Sequence, residues 1–275
     1  MIDIYNENCF DTMIHRLPEN SIDIVLTSPP YNTNRRAGLN RNLLNHGSKG
    51  YPDVRYDGAI DIMSDEQYSE FTEKLFNSFD KILKPNGCIL YNINYGTENT
   101  VGMFLAVNAI LTKTNFTLAD TIIWKKNSAI PNNVSPNKLT RICEFVFVFC
   151  RKSEFNTFNC NKQIKSHMPS GQCVYENIFN YVEAPNNNGV CPYNKATYSV
   201  ELCEWLLSVY ALPNSVVYDP FMGSGTTAVA CKKNNFDCYG SELSAKQCEF
   251  ANERIRTMTI SSSKFKYKQT AKKLF

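Results

Sequence analysis

The chain alternates short runs of β-branched and aromatic residues with longer segments whose apolar residues recur at helical spacing. Helices are predicted over 64–82 and 199–210, from the glycine-rich stretch near 225 to 233, and from 244 onward. This alternation is typical of an α/β protein with a mostly parallel sheet. Strands are predicted at 2–5, 22–26, 88–92, 121–124, 145–150, 215–218 and 237–240.

Two of the predicted helices begin with the pattern of a capping box, in which a Ser and a Gln three residues later bond each other's backbone. These are Ser64-Asp-Glu-Gln67 and Ser244-Ala-Lys-Gln247. The stretch Lys84-Pro-Asn-Gly87 predicts the end of the first of them, because proline and glycine interrupt helices. The apolar face of that helix is predicted to consist of Tyr68, Phe71, Leu75, Phe79 and Ile82.

The region 128–194 differs from the rest, since it is rich in Asn, Pro, Ser and Lys and lacks helical periodicity. It is interpreted as an inserted region beside an α/β core. The predicted organisation has the first half of the core at 1–127, with a basic loop at 33–56. The insert at 128–194, the second half of the core at 195–256 and a basic C-terminal tail at 257–275 follow.

The composition is that of an ordinary globular protein, with 275 residues of which 43% are hydrophobic. The chain begins MIDIYNEN, without the features of a secretory signal, and no apolar run reaches the ~18 residues of a membrane helix. The 11 cysteines form no C-x-x-C pair and there are 3 histidines, which argues against a metal site. An intracellular reducing compartment is therefore expected.

Positive charge is concentrated in two segments. Between 32 and 52 the chain carries four basic residues and no acid, and from 254 to 275 it carries seven basic residues and no acid. Since the net charge is only +3, the remainder is acidic. Such a distribution indicates a polyanion as partner. A solvated loop and a frayed tail are the alternative, which we favour for the tail but not for the loop.

A glycine-rich turn, Asp219-Pro-Phe-Met-Gly-Ser-Gly-Thr-Thr227, follows a predicted strand and opens a predicted helix. Gly223 and Gly225 allow a ligand to approach the backbone closely, and Glu242 at the end of the next strand can accept from two ribose hydroxyls. The order of these elements predicts a nucleoside-cofactor site. It is not a phosphate-binding loop, because no lysine follows the second glycine. A tight turn without a ligand is the alternative.

A corner that contains two prolines, Ser28-Pro-Pro-Tyr31, follows the strand at 22–26 and is called the proline corner below. The two prolines remove backbone donors and stiffen the chain, so that the carbonyls of Ser28 and Pro29 are predicted to accept. The Tyr31 ring can stack on a flat ligand. Acceptors beside an aromatic ring suit the exocyclic amine of an aromatic base.

Together the two corners resemble the hallmarks of the S-adenosylmethionine-dependent amino-methyltransferases of DNA, [SDN]-P-P-[YF] and F-x-G-x-G. Their order, with the proline motif first, is similar to the permuted beta group, in which a recognition region lies between them. The resemblance implies a Rossmann-like methyltransferase fold with circularly permuted motif order and a target-recognition insert. It extends over HRLPENSIDIVLTSPPYN, LKPNGCILYNI, the W-x-K, Pro-Asn and Glu-aromatic elements of 122–155, and 194–243.

The resemblance also implies roles for individual residues. The catalytic residues would be Ser28, Pro29, Pro30 and Tyr31. The cofactor-binding residues would be Asn8, Cys9, Asp219, Pro220, Phe221, Gly223, Gly225, Thr226, Glu242 and Leu243, although Asn8 stands where the family usually has an acid. From its charge and its position after the corner, the basic loop is predicted to bind DNA phosphates through Arg35, Arg36, Arg41 and Lys49. Lys138 and Arg141 complete the predicted DNA-binding residues.

A serine at the head of the corner is similar to the group that methylates cytosine at N4, whereas an aspartate would indicate adenine N6. We therefore expect a cytosine-N4 DNA methyltransferase, with adenine N6 as the alternative and an NAD-dependent oxidoreductase as a more distant one. DNA is the expected partner, and a homodimer and a companion restriction enzyme on a separate chain are further possibilities. The expected location is cytoplasmic, of prokaryotic or viral type.

Overall fold

The computed structural model describes residues 1–32, 63–95, 99–127, 129, 136–186, 191 and 197–259. An eight-stranded sheet forms its centre, in the order β1-β10-β9-β2-β3-β5-β4-β8. Neighbouring strands in this sheet are parallel, except that β5 is antiparallel to both β3 and β4. The prediction of an α/β protein with a mostly parallel sheet is confirmed. The strands are β1 (Ile2–Tyr5), β2 (Ile22–Thr27), β3 (Leu83–Ile93), β4 (Phe116–Lys126), β5 (Cys143–Arg151), β6 (Ile164–His167), β7 (Cys173–Tyr175), β8 (Tyr181–Ala184), β9 (Val216–Asp219) and β10 (Asp237–Ser241).

Six α-helices lie in the part of the chain that the structure describes: α1 (Cys9–His15), α2 (Asp65–Ile82), α3 (Gly102–Lys113), α4 (Val200–Tyr210), α5 (Thr226–Asn234) and α6 (Ala245–Thr257). The capping box at Ser64 is confirmed in both directions. At α6, the Ser244 hydroxyl accepts from the Gln247 amide at 3.4 Å. The sequence did not predict α1 and α3. The side chain of Val101, the N-cap of α3, makes no capping hydrogen bond. The side-chain oxygen Oδ1 of Asn99 accepts from the Gly102 amide at 2.8 Å instead.

The region predicted as an insert contributes two strands to the main sheet. Strand β5 lies between β3 and β4 and is antiparallel to both, and β8 pairs with the outer side of β4. The small hairpin β6–β7 forms a separate two-stranded sheet. The region is therefore partly a component of the core, while its role in target recognition stays a prediction.

The core has two layers, one on each face of the sheet. Along β2, Ile24 and Leu26 face the layer that contains α4 and α5, whereas Val25 faces the layer that contains α2 and α3. The helix that follows β9, α5, thus lies on one face of the sheet, and α2, the first described helix after β2, lies on the other. In open α/β sheets ligands bind in the crevice at such a switch point, outside the carboxyl ends of the strands.

None of the helices in the described residues is long and apolar enough to cross a bilayer.

Candidate active site between β2 and β9

The proline corner and the glycine turn lie side by side because their strands are neighbours. Ile24 pairs with Val217 and Val25 with Tyr218 in parallel register, so β2 and β9 end at the same edge of the sheet. At that edge the Thr27 hydroxyl donates to Asp219 Oδ1 at 2.8 Å. This buried hydrogen bond joins residues 192 positions apart in sequence and fixes one corner against the other.

The Asp219 carboxylate is fully buried and holds the start of the glycine turn. Its Oδ1 also accepts from the Phe221 amide at 3.1 Å, and its Oδ2 accepts from Tyr198 Oη at 3.0 Å and from Thr227 Oγ1 at 2.5 Å. Burial raises the pKa of Asp219, and these hydrogen bonds oppose that effect. Both oxygens are thus occupied by protein donors, so Asp219 holds the turn, and its predicted role in cofactor binding would act through that turn.

The turn itself needs glycine at two positions. Gly223 has φ 53° and Gly225 has φ 81°, which is the left-handed region that other residues enter only with strain. A Cβ at Gly225 would also lie 3.0 Å from the Cβ of Ala251 on α6. The backbone thus passes close to α6 and then opens α5, with Gly225 as its N-cap and Thr226 as its first residue.

Glu242 follows β10 and fastens the turn from the other side. Its Oε2 accepts from the Gly223 amide and its Oε1 from the Ser244 amide, both at 2.8 Å. Burial raises the pKa of Glu242, while the two backbone donors lower it. A carboxylate offers about four lone-pair sites, so two remain for the hydroxyls of a ribose. The geometry therefore fits the predicted role of Glu242 in a nucleoside site.

The other predicted cofactor residues surround this turn. Pro220 and Thr226 are buried, Phe221 is partly buried and 47% of Leu243 is exposed. Asn8 caps α1, where its side chain accepts from the Phe10 amide at 2.9 Å. Cys9 is buried, and burial raises the pKa of its thiol to about 12. Their binding roles stay predictions, although the open backbone turn and the Glu242 acceptors fit S-adenosylmethionine.

In the proline corner, side-chain hydroxyls provide the contacts. Ser28 Oγ donates to Tyr31 Oη at 3.0 Å, and the buried Tyr68 hydroxyl donates to the Pro30 carbonyl at 2.8 Å. The Pro29 carbonyl lies one residue before the Pro30 carbonyl, and its role as an acceptor stays a prediction. Burial, followed by the nearby Glu144 carboxylate, holds the pKa of Tyr31 well above its usual range. The Tyr31 residue as a whole is partly exposed.

Asn32 ends the corner and joins it to the start of α2. Its Oδ1 accepts from the Met63 amide at 2.8 Å and its Nδ2 donates to the Met63 carbonyl at 3.0 Å. The residue has φ 54°, and its carbonyl accepts from Asn99 Nδ2 at 3.0 Å. Residues 32 and 63 are thus held together at the edge of the site.

Four of the predicted DNA-binding residues, Arg35, Arg36, Arg41 and Lys49, lie outside the described residues, as does most of the predicted tail. Lys138 is exposed. Arg141 is also exposed, and its guanidinium donates to the Tyr95 carbonyl at 2.9 Å and lies over the Tyr95 ring. Arg254, counted with the basic C-terminal segment, instead lies in α6 and donates to the Ser224 carbonyl of the glycine turn at 3.1 Å.

The structure adds residues that the sequence reasoning did not assign to the site. Tyr31 Oη lies 3.4 Å from Glu144 Oε2 on β5 and 3.2 Å from the Asn92 carbonyl on β3. Glu144 forms a salt bridge with Lys126 on β4. The W-x-K and Glu-aromatic patterns contain Lys126 and Glu144, so the signal was present. Their proximity to Tyr31 depends on the pairing of β3, β5 and β4, which the sequence does not disclose.

Comparisons with known proteins agree with this geometry. The model of the family described as DNA methylase, named for N6 and N4 methyltransferases, matches residues 22–253. The chain is 26% identical to the orphan methyltransferase M.BamHII of Bacillus amyloliquefaciens, over 87% of this chain and 91% of that one. It is 25% identical to the type II methyltransferase M.HinfI of Haemophilus influenzae, over 87% of this chain and 64% of that one.

Solved structures show the same fold. The cytosine-N4-specific PvuII DNA methyltransferase superposes with a TM-score of 0.67 and 16% identity, covering 94% of this chain and 86% of that chain. The crystal structure of an M1.HpyAVI–SAM complex superposes with a TM-score of 0.59 and 20% identity, covering 93% of this chain and 100% of that chain. The predicted methyltransferase fold is confirmed. The chain belongs to the N6/N4 family of DNA methylases, which use S-adenosylmethionine as methyl donor.

Proposed function

We propose that this protein transfers a methyl group from S-adenosylmethionine to the exocyclic amine of a base in DNA, and that the base is cytosine, methylated at N4. The observation that carries the proposal is the Thr27–Asp219 hydrogen bond, which holds an acceptor-lined aromatic corner directly beside a nucleoside-type glycine turn. Membership of the DNA methylase family supports methyl transfer over the oxidoreductase alternative.

The amine of a paired base lies inside the duplex, so the base has to be flipped out or presented single-stranded. In this mechanism the Tyr31 ring stacks on the base, while Ser28 Oγ and the Pro29 carbonyl accept its two amine N–H groups. An aromatic amine is a weak nucleophile because its lone pair is delocalised into the ring. Two acceptors that hold the nitrogen in a tetrahedral arrangement localise that lone pair for attack.

S-adenosylmethionine, when bound, supplies an electrophilic methyl group on its sulfonium. The chain contributes alignment: Glu242 holds the ribose, the backbone at Gly223 and Gly225 admits the cofactor, and the Thr27–Asp219 bond sets the distance between the two corners. Good alignment alone can supply about 7–11 kcal/mol of rate acceleration. The mechanism needs no covalent intermediate, and burial, which raises the pKa of the Cys9 thiol to about 12, disfavours its thiolate.

DNA binding is proposed to involve Arg35, Arg36, Arg41 and Lys49 together with the exposed Lys138 and Arg141 of the 128–194 region. Contacts of this type to phosphates weaken as salt rises. The homodimer and the companion restriction enzyme also stay proposals, as does the cytoplasmic location.

Serine at position 28 is the basis for cytosine over adenine, which is the alternative. The test is mass spectrometry of nucleosides from plasmid DNA incubated with the protein and S-adenosylmethionine, with Ser28→Ala beside it. Ser78→Ala is the matched control, since its hydroxyl bonds the Lys74 carbonyl on α2, away from the corner.

N4-methylcytosine that is lost in Ser28→Ala and kept in Ser78→Ala is the expected result. N6-methyladenine would keep the mechanism and overturn the choice of base. Neither product on duplex or single-stranded DNA, with S-adenosylmethionine still bound, would contradict the proposed function.

A further inference from the structure

A line of hydrogen bonds leads from the head of the proline corner into the neighbouring strands. Ser28 Oγ donates to Tyr31 Oη at 3.0 Å. Beyond Ser28, the Tyr31 hydroxyl faces three oxygen atoms: the Asn92 carbonyl at 3.2 Å, Asn92 Oδ1 at 3.3 Å and Glu144 Oε2 at 3.4 Å. Within the part of the chain that the structure describes, the hydrogen-bond partners of this hydroxyl are therefore all oxygen atoms.

Each of these three oxygens can only accept. A backbone carbonyl carries no hydrogen. The amide of Asn92 is oriented by its Nδ2, which donates to the Phe145 carbonyl at 3.0 Å, so that Oδ1 is the atom turned to Tyr31. Glu144 forms a salt bridge with Lys126, and a carboxylate has no hydrogen to give.

Hydrogen-bond direction follows from this arrangement. The single hydrogen of the Tyr31 hydroxyl has to point toward Asn92 and Glu144, because no other orientation satisfies those acceptors. The lone pairs of Tyr31 Oη are then left for the Ser28 hydrogen. Ser28 in turn keeps its own lone pairs for whatever enters the corner.

We propose that Asn92 and Glu144, acting through Tyr31, make Ser28 an obligate acceptor and thereby select a base that presents an amine rather than a carbonyl. This inference rests on the proposed function and deepens it. The lone pairs of Ser28 Oγ accept a hydrogen bond from a target amine. They repel the lone pairs of the keto oxygen that uracil or hypoxanthine carries at the same place. A site built to bond N–H groups rejects a ligand that lacks them, since its polar atoms are then left unpaired. Asn92 and Glu144 are positioning residues in this scheme.

The test measures binding rather than overall activity. Duplexes carry the methylated site, as located by sequencing of modified plasmid, with either cytosine or uracil at the target position and an abasic nucleotide opposite, so that both targets are equally unpaired. If adenine is the methylated base, adenine and hypoxanthine replace them. Affinities are measured by fluorescence anisotropy in the presence of S-adenosylhomocysteine.

The wild type is expected to bind the amine duplex at least tenfold more tightly than the keto duplex. Tyr31→Phe keeps the ring but removes the acceptor of the Ser28 hydrogen, so that Ser28 can turn and donate to a carbonyl. The preference should then fall to threefold or less. Loss of stacking or of structure would weaken binding of both duplexes equally and leave the ratio of their two affinities unchanged. That ratio therefore distinguishes a positioning role of Tyr31 from structural damage.

Glu144→Gln places an amide donor next to Tyr31 and is expected to reduce the preference part of the way. Glu183→Gln is the matched control, because Glu183 forms an exposed salt bridge at 2.8 Å with Lys125, the neighbour of Lys126 on β4. It should leave the preference at the wild-type value.

Two results would overturn the inference while methyl transfer persists: no amine preference in the wild type, or the same preference in Tyr31→Phe as in the wild type. The nucleoside assay on the wild type reports separately on the proposed function. Failure of the proposed function is therefore distinguishable from failure of this inference.

Discussion

The two corners of the site are held in different ways. In the glycine turn, carboxylates accept from backbone amides: the buried Asp219 from the Phe221 amide and the partly buried Glu242 from the Gly223 amide. In the proline corner, side-chain hydroxyls provide the bonds, from Tyr68 to the Pro30 carbonyl and from Ser28 to Tyr31. The first arrangement fixes the path of the main chain, whereas the second fixes the direction of individual donors and acceptors.

This difference predicts that substitutions in the glycine turn mainly cost stability and cofactor affinity. Substitutions in the proline corner should instead change the chemistry while the fold persists. Variants of each corner, compared under the same conditions, test that distinction.

The largest effect is expected for Asp219→Ala. The change leaves the buried hydroxyls of Thr27, Tyr198 and Thr227 and the Phe221 amide without their shared acceptor. Because each buried polar group left unpaired costs about 1–3 kcal/mol, the free energy of unfolding should fall by more than about 3 kcal/mol. Urea denaturation measures it. Asp11→Ala, at an exposed position of α1, should change it by less than about 1 kcal/mol, and equal losses in the two variants would contradict the assigned role of Asp219.

The next effect concerns Glu242→Gln and cofactor affinity. A glutamine has one oxygen for the two amides of Gly223 and Ser244, so one of them loses its acceptor. Since hydrogen bonds to charged groups are worth about 1.5–3 kcal/mol, S-adenosylmethionine should bind roughly 10- to 100-fold more weakly at pH 8, as measured by calorimetry.

The same residue predicts a pH dependence. Burial raises the pKa of Glu242 above its ordinary 4.5, so the group takes up a proton at a higher pH than an exposed glutamate. Protonation removes an acceptor from the ribose, and wild-type affinity should therefore fall as the pH decreases through the raised pKa. This fall should be smaller in Glu242→Gln, where only Asp219 of the two carboxylates that hold the turn still titrates. It should be unchanged in Glu249→Gln, which alters an exposed carboxylate of α6.

A smaller effect is expected for Gly225→Ala, for which Gly171→Ala is a close control. The two glycines have φ 81° and φ 82°, so a Cβ strains both backbones equally, by about 1 kcal/mol. At Gly171 the added methyl meets no atom within 4 Å, whereas at Gly225 it lies 3.0 Å from Ala251. The thermal stability of the Gly225 variant should therefore be lower than that of the Gly171 variant. Equal values would show that contact with α6 does not hold the turn.

The smallest effect on stability is expected for Tyr68→Phe, which removes the donor to the Pro30 carbonyl. About 1 kcal/mol of unfolding free energy should be lost. The rate of methyl transfer should fall several-fold while S-adenosylmethionine affinity stays at the wild-type value, because the glycine turn is held separately. Tyr175→Phe, at an exposed position of β7, is the control for loss of a hydroxyl. A matching loss of cofactor affinity in Tyr68→Phe would show that the two corners are not independent.

The sequence predicted the elements whose signals are local. The strands at 2–5 and 22–26, the Ser64 capping box and the glycine turn before α5 all depend on residues a few positions apart, and the structure confirms them. Helix α1 was missed because it has only 7 residues, too few for a periodic pattern.

The sequence did not predict the contacts that depend on strand order. Strand β5 was recognised as a strand, but its place between β3 and β4 follows from long-range pairing. That pairing brings Glu144 to Tyr31, which lies 113 residues away in sequence. For the same reason the Thr27–Asp219 bond, which joins the two motifs, could only be seen in the structure.

The paired hydrogen bonds between Asn32 and Met63 have a consequence for the engineering of this enzyme. Because they tie the exit from β2 directly to the entrance of α2, the chain between them starts and finishes at one fixed point. We expect that segments of other lengths and charges can be joined at these two residues while β2 and α2 keep their places. The junction therefore marks the 33–62 segment as the part to exchange in a test of its proposed contribution to DNA binding.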